Sequence, residues 1–174
     1  NTLYLDGITY DITYKKEVES ALKSTEQKYQ KIIETSPVPM SFAKLNNEIE
    51  YVNQAFVKTF GYTLEEIPNL ETYLEKLYPD KDYRNSIYPD WKRSIEIAHK
   101  LEVPIKPFDV KMTCKNGEVR NIVIYSAILD DGIFVVFNDI TEIKKTNTAL
   151  KESEQKYREL MDFLPQTIYE LDTQ

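Results

Sequence analysis

The chain has 174 residues, 41% of them hydrophobic and 29% charged, enough for one domain with a sizeable core plus extensions. A net charge of -7 and a pI near 4.9 leave no basic stripe for nucleic-acid phosphates. The single cysteine, Cys114, excludes an internal disulfide and any cysteine-built zinc site. No apolar run approaches the roughly 20 residues that span a bilayer.

In chain order, residues 1–13 read as the last strand of an upstream domain, with Leu3, Leu5 and Ile8 around an Asp6-Gly7 turn. Residues 14–35 form a helical connector rich in Lys, Glu, Gln and Ala, with Thr13 as its expected N-cap. Within it Val18, Leu22, Thr25, Tyr29 and Ile32 alternate by four and three residues, a heptad seam with a polar interruption. Pro37 and Pro39 bracket the start of a domain spanning 36–141. Met40 to Leu45 reads as a strand, Asn46-Asn47 as a turn, and Ile49 to Val52 as the returning strand. Asn53 caps a short helix carrying Phe56, Val57 and Phe60, and Gly61 ends it. Thr63 and Glu66 have capping-box spacing. Leu70, Tyr73, Leu74 and Leu77 mark a third helix, stopped by Pro79.

A longer helix is expected over roughly 81–100, with Ile87, Trp91, Ile95 and Ala98 on one face. Pro104 and Pro107 end the helical region. Phe108, Val110, Met112 and Cys114 alternate with polar residues, as a strand does. Lys115-Asn116-Gly117-Glu118 is a hairpin turn, Val119 to Ile128 the return strand, Asp131-Gly132 a second turn, and Ile133 to Asp139 the last strand. Two strands, several small helices and three strands make an antiparallel α+β sheet with its helices on one face.

At Asp139 the sequence repeats itself. Asp139-Ile140-Thr141 matches Asp11-Ile12-Thr13 at an offset of 128 positions, and without a gap Ala149-Leu150-Lys151 then matches Ala21-Leu22-Lys23. Glu154-Gln155-Lys156-Tyr157 matches Glu26-Gln27-Lys28-Tyr29, and Pro165 matches Pro37. A period of this length suits whole domains in series, not solenoid units. Residues 142–163 are then a second connector, with Thr141 as N-cap and a seam of Ile143, Thr146, Leu150, Ser153, Tyr157 and Leu160. Residues 164–174 restart a following domain. Each connector is either an amphipathic helix lying on its own domain or one strand of a parallel two-stranded coiled coil in a homodimer.

The order of elements and several short words resemble the PAS sensory family. The words are Glu50-Tyr51-Val52-Asn53-Gln54-Ala55-Phe56, Phe60-Gly61-Tyr62-Thr63-Leu64-Glu65-Glu66-Ile67, Cys114-Lys115-Asn116-Gly117 and Phe137-Asn138-Asp139-Ile140-Thr141-Glu142. Ser153-Glu154-Gln155-Lys156-Tyr157-Arg158 resembles the opening of a next copy. The resemblance implies a five-stranded antiparallel sheet with short helices on one face, flanked by linker helices. It further implies a sensory or relay module of a multidomain signalling protein, with a histidine kinase or a diguanylate cyclase as output, or a ligand-free dimerisation spacer. Asp139 and Thr141 would tie the sheet to the outgoing helix, Asp139 pairing with Lys115. Adjacent PAS and output domains of the same chain would be its partners, in the cytoplasm.

No cofactor is expected. Flavin sensors of this family carry a cysteine where this chain reads Pro68 to Leu74, and a Gln where it has Phe137. Haem sensors need a histidine midway along the long helix, where this chain has Tyr88; its one histidine, His99, lies near the helix end. One histidine is also too few for a metal site. A small-molecule ligand remains possible between sheet and helices. By the resemblance the Phe137 face of the last strand points inward, so Phe42, Phe56, Phe60, Tyr73, Trp91, Ile124 and Phe137 line a pocket or simply fill a core. Phe134 and Val136 on the opposite face need cover, from the first helix or a second subunit. Ala98-His99-Lys100-Leu101-Glu102 resembles a kinase phosphoacceptor box, but the acid that follows the histidine there is Lys100 here, so no catalysis is expected.

Overall fold

The computed structural model describes residues 13–163; the expected strand before Thr13 and the restart after Phe163 lie outside them. In chain order the elements are α1 (Thr13–Thr35), β1 (Met40–Lys44), β2 (Ile49–Val52), α2 (Gln54–Phe60), a 3-10 turn (Leu64–Glu66), α3 (Leu70–Leu77), α4 (Lys81–Leu101), β3 (Phe108–Thr113), β4 (Val119–Leu129), β5 (Gly132–Asp139) and α5 (Thr141–Phe163). The strands form one antiparallel sheet in the order β2-β1-β5-β4-β3, the α+β architecture expected from the sequence.

Local chemistry explains most boundaries. The Asn53 carboxamide oxygen accepts the Phe56 N–H and opens α2, and Gly61 closes it at φ 82, a left-handed conformation that favours glycine. Thr63 N–H donates to Glu66 Oε2 at 3.1 Å across the 3-10 turn. Asn69 and Asp80 cap α3 and α4. α4 runs through Pro89, which offers no N–H to the Asn85 carbonyl one turn back. It ends not at a proline but where Glu102 turns left-handed, at φ 53.

The turn before β5 falls one residue earlier than the Asp131-Gly132 spacing suggests. Asp130 and Asp131 make it, and Gly132 is the first residue of β5. Its glycine identity answers to close packing: a Cβ there would lie 2.2 Å from the Ala43 carbonyl oxygen and 2.6 Å from the Phe42 ring. Cys114 stands just past β3, buried, its thiol pushed up by burial and donating to the Thr59 carbonyl at 3.4 Å. It serves as a packed apolar side chain.

The core lies between the sheet and α2, α3 and α4. Phe56, Phe60 and Phe137 sit at its centre, with ring centroids 4.8 to 5.6 Å apart. Val135 and Phe137 are buried, as the parity of the last strand predicts. The opposite sheet face stays uncovered: Phe134 and Val136 are only partly buried and Tyr125 is 46% exposed. α1 does not lie on it. Residues 16–32 are exposed, and the last turn of α1 is fastened to the sheet side through Ile33 and through Tyr51 Oη, which donates to the Glu34 carboxylate. Burial, then that carboxylate, pushes the Tyr51 phenol well above its ordinary range.

Candidate functional site

Two features adjoin along β5. The first is a cavity of about 60 Å³ between the inner sheet face and helices α3 and α4. Ile133, Val135 and Phe137 of β5 and Ile124 of β4 form its floor. Tyr73 of α3, Tyr78 just beyond it, and Ile87, Tyr88 and Trp91 of α4 form its roof. Burial pushes the phenols of Tyr73 and Tyr78 well up, so both are neutral; Tyr78 adds to the shift of Tyr73, and Tyr83 to that of Tyr78. The Trp91 indole N–H is buried and has no hydrogen-bond partner among the described residues. An orphan donor of this kind costs about 1–3 kcal/mol and is rare in native interiors.

Of the pocket residues expected from the sequence, Tyr73, Trp91, Ile124 and Phe137 line this cavity. Phe56 and Phe60 do not; both are fully buried behind Phe137 and belong to the packed core. Phe42 is a correction. It pairs across from Phe134 and Tyr51, with its ring over Gly132, while its neighbours Ser41 and Ala43 face the cavity. Successive strand residues point to opposite faces, so only one of Phe42 and Ser41 can face in. Tyr78 and Tyr88 are not among the pocket residues expected from the sequence: Tyr78 is the C-cap just past α3, and Tyr88 sits beside the face set by Ile87 and Trp91.

The second feature is the junction with α5. Asp139 Oδ2 accepts Arg120 Nη1 at 2.7 Å, and Oδ1 accepts the Thr141 N–H at 2.9 Å. Thr141 Oγ1 accepts the Asn121 N–H at 2.9 Å, and the Ile140 N–H donates to the Asn121 carbonyl at 2.9 Å. Lys144 Nζ reaches Asp109 Oδ2 at 3.2 Å. Burial would raise the Asp139 carboxyl, but the Thr141 and Arg120 hydrogen bonds outweigh it and hold the group below its ordinary range.

Two expectations change here. Thr141 is the first helical residue, not the N-cap, and its hydroxyl faces β4 while the Asp139 side chain caps the helix start. Thr13 likewise begins α1 as its first helical residue. Lys115 does not pair with Asp139; it binds Glu66 Oε1 at 2.7 Å. The register decides this. Asp139 lies opposite Ile122, two residues from Arg120 on the same strand face, whereas Lys115 sits in the turn before β4, against Gly61.

The seam residues Val18, Leu22, Tyr29, Ile32, Ile143, Leu150, Tyr157 and Leu160 are each at least half exposed in the single chain. Among the described residues no group of three or more His, Cys, Asp or Glu side chains could hold a metal ion, and no helix is long and apolar enough to cross a membrane.

A family model described as a PAS domain matches residues 27–96, from the second half of α1 into α4. The chain has the fold of a PAS domain. A PAS domain from Colwellia psychrerythraea has 14% identity and a TM-score of 0.53, covering 68% of this chain and 98% of that one. A domain of a sensory box sensor histidine kinase/response regulator from Geobacter sulfurreducens has 16% identity and a TM-score of 0.51, covering 68% and 96%. The PAS domain of a LuxR-family transcriptional regulator from Burkholderia thailandensis, in complex with ethanol, has 19% identity and a TM-score of 0.51, covering 64% and 96%. No curated protein matches the sequence. At these identities the neighbours speak for the PAS fold, and the cavity and the α5 junction are features of this chain's own residues.

Proposed function

We propose that this PAS domain is a sensory and relay module of a larger cytoplasmic signal-transduction protein, a two-component histidine kinase, responding to a small ligand and transmitting through its flanking helices. One observation carries the reading. β5 floors the cavity with Ile133, Val135 and Phe137 and, two residues on, ends at Asp139, which holds the start of α5. A change in how the cavity is filled therefore acts on the strand that positions the output helix. Past its first turn α5 is exposed, with an apolar seam available to a second copy in a homodimer. The kinase relative and the ethanol complex among the structural neighbours fit this reading. A diguanylate cyclase output would use the same relay.

The test is charge reversal at the junction in the full-length protein. Asp139→Lys is expected to change the output activity while circular dichroism shows the native fold, with a melting point lowered by the loss of the Arg120 pair and the helix cap. Unchanged output in a folded variant would sink the relay role. The smallness of the cavity favours a second reading, a dimerisation spacer with a nearly filled core. Native mass spectrometry separates the two: a retained small molecule supports the sensor, and a ligand-free dimer whose output ignores cavity-filling substitutions supports the spacer.

A further inference from the structure

We infer that the cavity selects a small, uncharged molecule bearing a hydrogen-bond acceptor, and that the Trp91 indole N–H is the selecting group. The inference rests on the reading of the cavity as a ligand site and adds the class of ligand. Size comes first. About 60 Å³ is far below the ~300 Å³ at which drug-sized and cofactor pockets begin. That leaves room for a few heavy atoms.

Charge comes second. No Lys, Arg, His, Asp or Glu lines the cavity. A carboxylate or ammonium entering it would lose its hydration with no countercharge to meet it. The phenols of Tyr73 and Tyr78 are kept neutral by burial, so they cannot supply one either.

Polarity comes third. Ser41 and the tyrosines of the lining carry hydroxyls that can donate or accept, so they set no direction. An indole nitrogen only donates. The Trp91 N–H is buried without a partner, and the ring that carries it is part of the cavity wall. A short alcohol, ketone or aldehyde satisfies that donor; a hydrocarbon of the same size does not. Access follows from the two roof helices: Leu70 and Leu74 of α3 and Tyr88 of α4 line both the cavity and a groove on the outer surface beside Asn69, so they separate the ligand from solvent.

The chain has one tryptophan, so its amide spectrum holds one indole N–H signal. The 15N-labelled chain would be titrated separately with acetone, ethanol, acetate and propane-saturated buffer. Acetone and ethanol are expected to move the indole proton saturably downfield, together with the backbone amides of Ile124 and Val135, and acetate to move neither. Trp91→Phe is expected to weaken acetone about tenfold, the loss of one neutral hydrogen bond, and to leave propane within about twofold. The native indole shift stands as evidence even where the variant folds poorly. A fixed indole signal while the amides respond alike to acetone and propane overturns the selecting role and leaves the ligand site intact. Saturable acetate binding at those amides overturns the preference for uncharged ligands. No response to any probe overturns both the inference and the ligand site.

Discussion

Asn53 shows how much one side chain decides. Its oxygen accepts the N–H groups of Met40 and Phe56, and its nitrogen donates to the carbonyls of Ile33 and Val38. Both donors and both acceptor positions are in use, in a residue with no exposed surface. Asn53→Asp keeps the α2 cap but turns an acceptor toward two carbonyls. It should destabilise the domain by about 2–3 kcal/mol in chemical denaturation and speed amide exchange over residues 33–38 while α2 stays protected. Equal exchange in both proteins would mean that α1 is held by other contacts.

Asp139 makes a prediction in pH. Its carboxyl is held below the ordinary value, so the unfolded chain takes up the proton first on acidification. The stability it contributes is complete above the unfolded value of about 3.9 and is lost as pH falls through the lower folded value. Asp139→Asn should therefore cost about 1–2 kcal/mol at neutral pH, discounted for a partly exposed group, and much less at acid pH. Thermal melts across that window would show the two proteins converge; parallel curves would remove Asp139 from the acid sensitivity.

Among the elements, α4 is the one whose formation runs against local preference. Pro89 sits in its interior, and only the apolar spacing of Ile87, Trp91, Ile95 and Ala98 in the sequence carries the expected helix past it. It continues because Tyr83, Ile87, Trp91 and Ala98 are held against the sheet side; Tyr83 Oη, for instance, accepts the Lys111 N–H of edge strand β3 at 2.8 Å. Tertiary packing here outweighs a helix penalty of about 3 kcal/mol. Pro89→Ala should recover part of it, raising stability by about 1–2 kcal/mol in urea denaturation. No gain would mean that the path of α4 is shaped to the proline.

α1 and α5 present the opposite case. Their sequences favour helix throughout, yet little of either touches the domain, and Leu22 and Leu150 remain 58% and 57% exposed. If the α5 seam pairs in a homodimer, Leu150→Glu should lower the dimer fraction by about tenfold or more in sedimentation equilibrium, and Lys151→Glu beside it should not. A dimer indifferent to Leu150→Glu would have its interface elsewhere.

On the scale of the whole molecule, the sequence by itself determined the kind and order of the elements, the caps at Asn53 and Gly61, the Asn116-Gly117 hairpin and the shared face of Ile133, Val135 and Phe137. These depend on residues close along the chain, where capping, periodicity and turn chemistry act directly. The family resemblance rested on those same local words.

Tertiary structure decided what residues far apart do to one another. Phe42 reads as inward by the resemblance, but it lies over Gly132, 90 positions away, and leaves Ser41 and Ala43 to face inward. Asp139 found Arg120 and not Lys115 because the β4–β5 register sets which residues share a face. The cavity and the unpartnered Trp91 N–H arise only where five strands and two helices meet. Close packing between such distant elements is fixed by register and volume, which no short stretch of sequence contains.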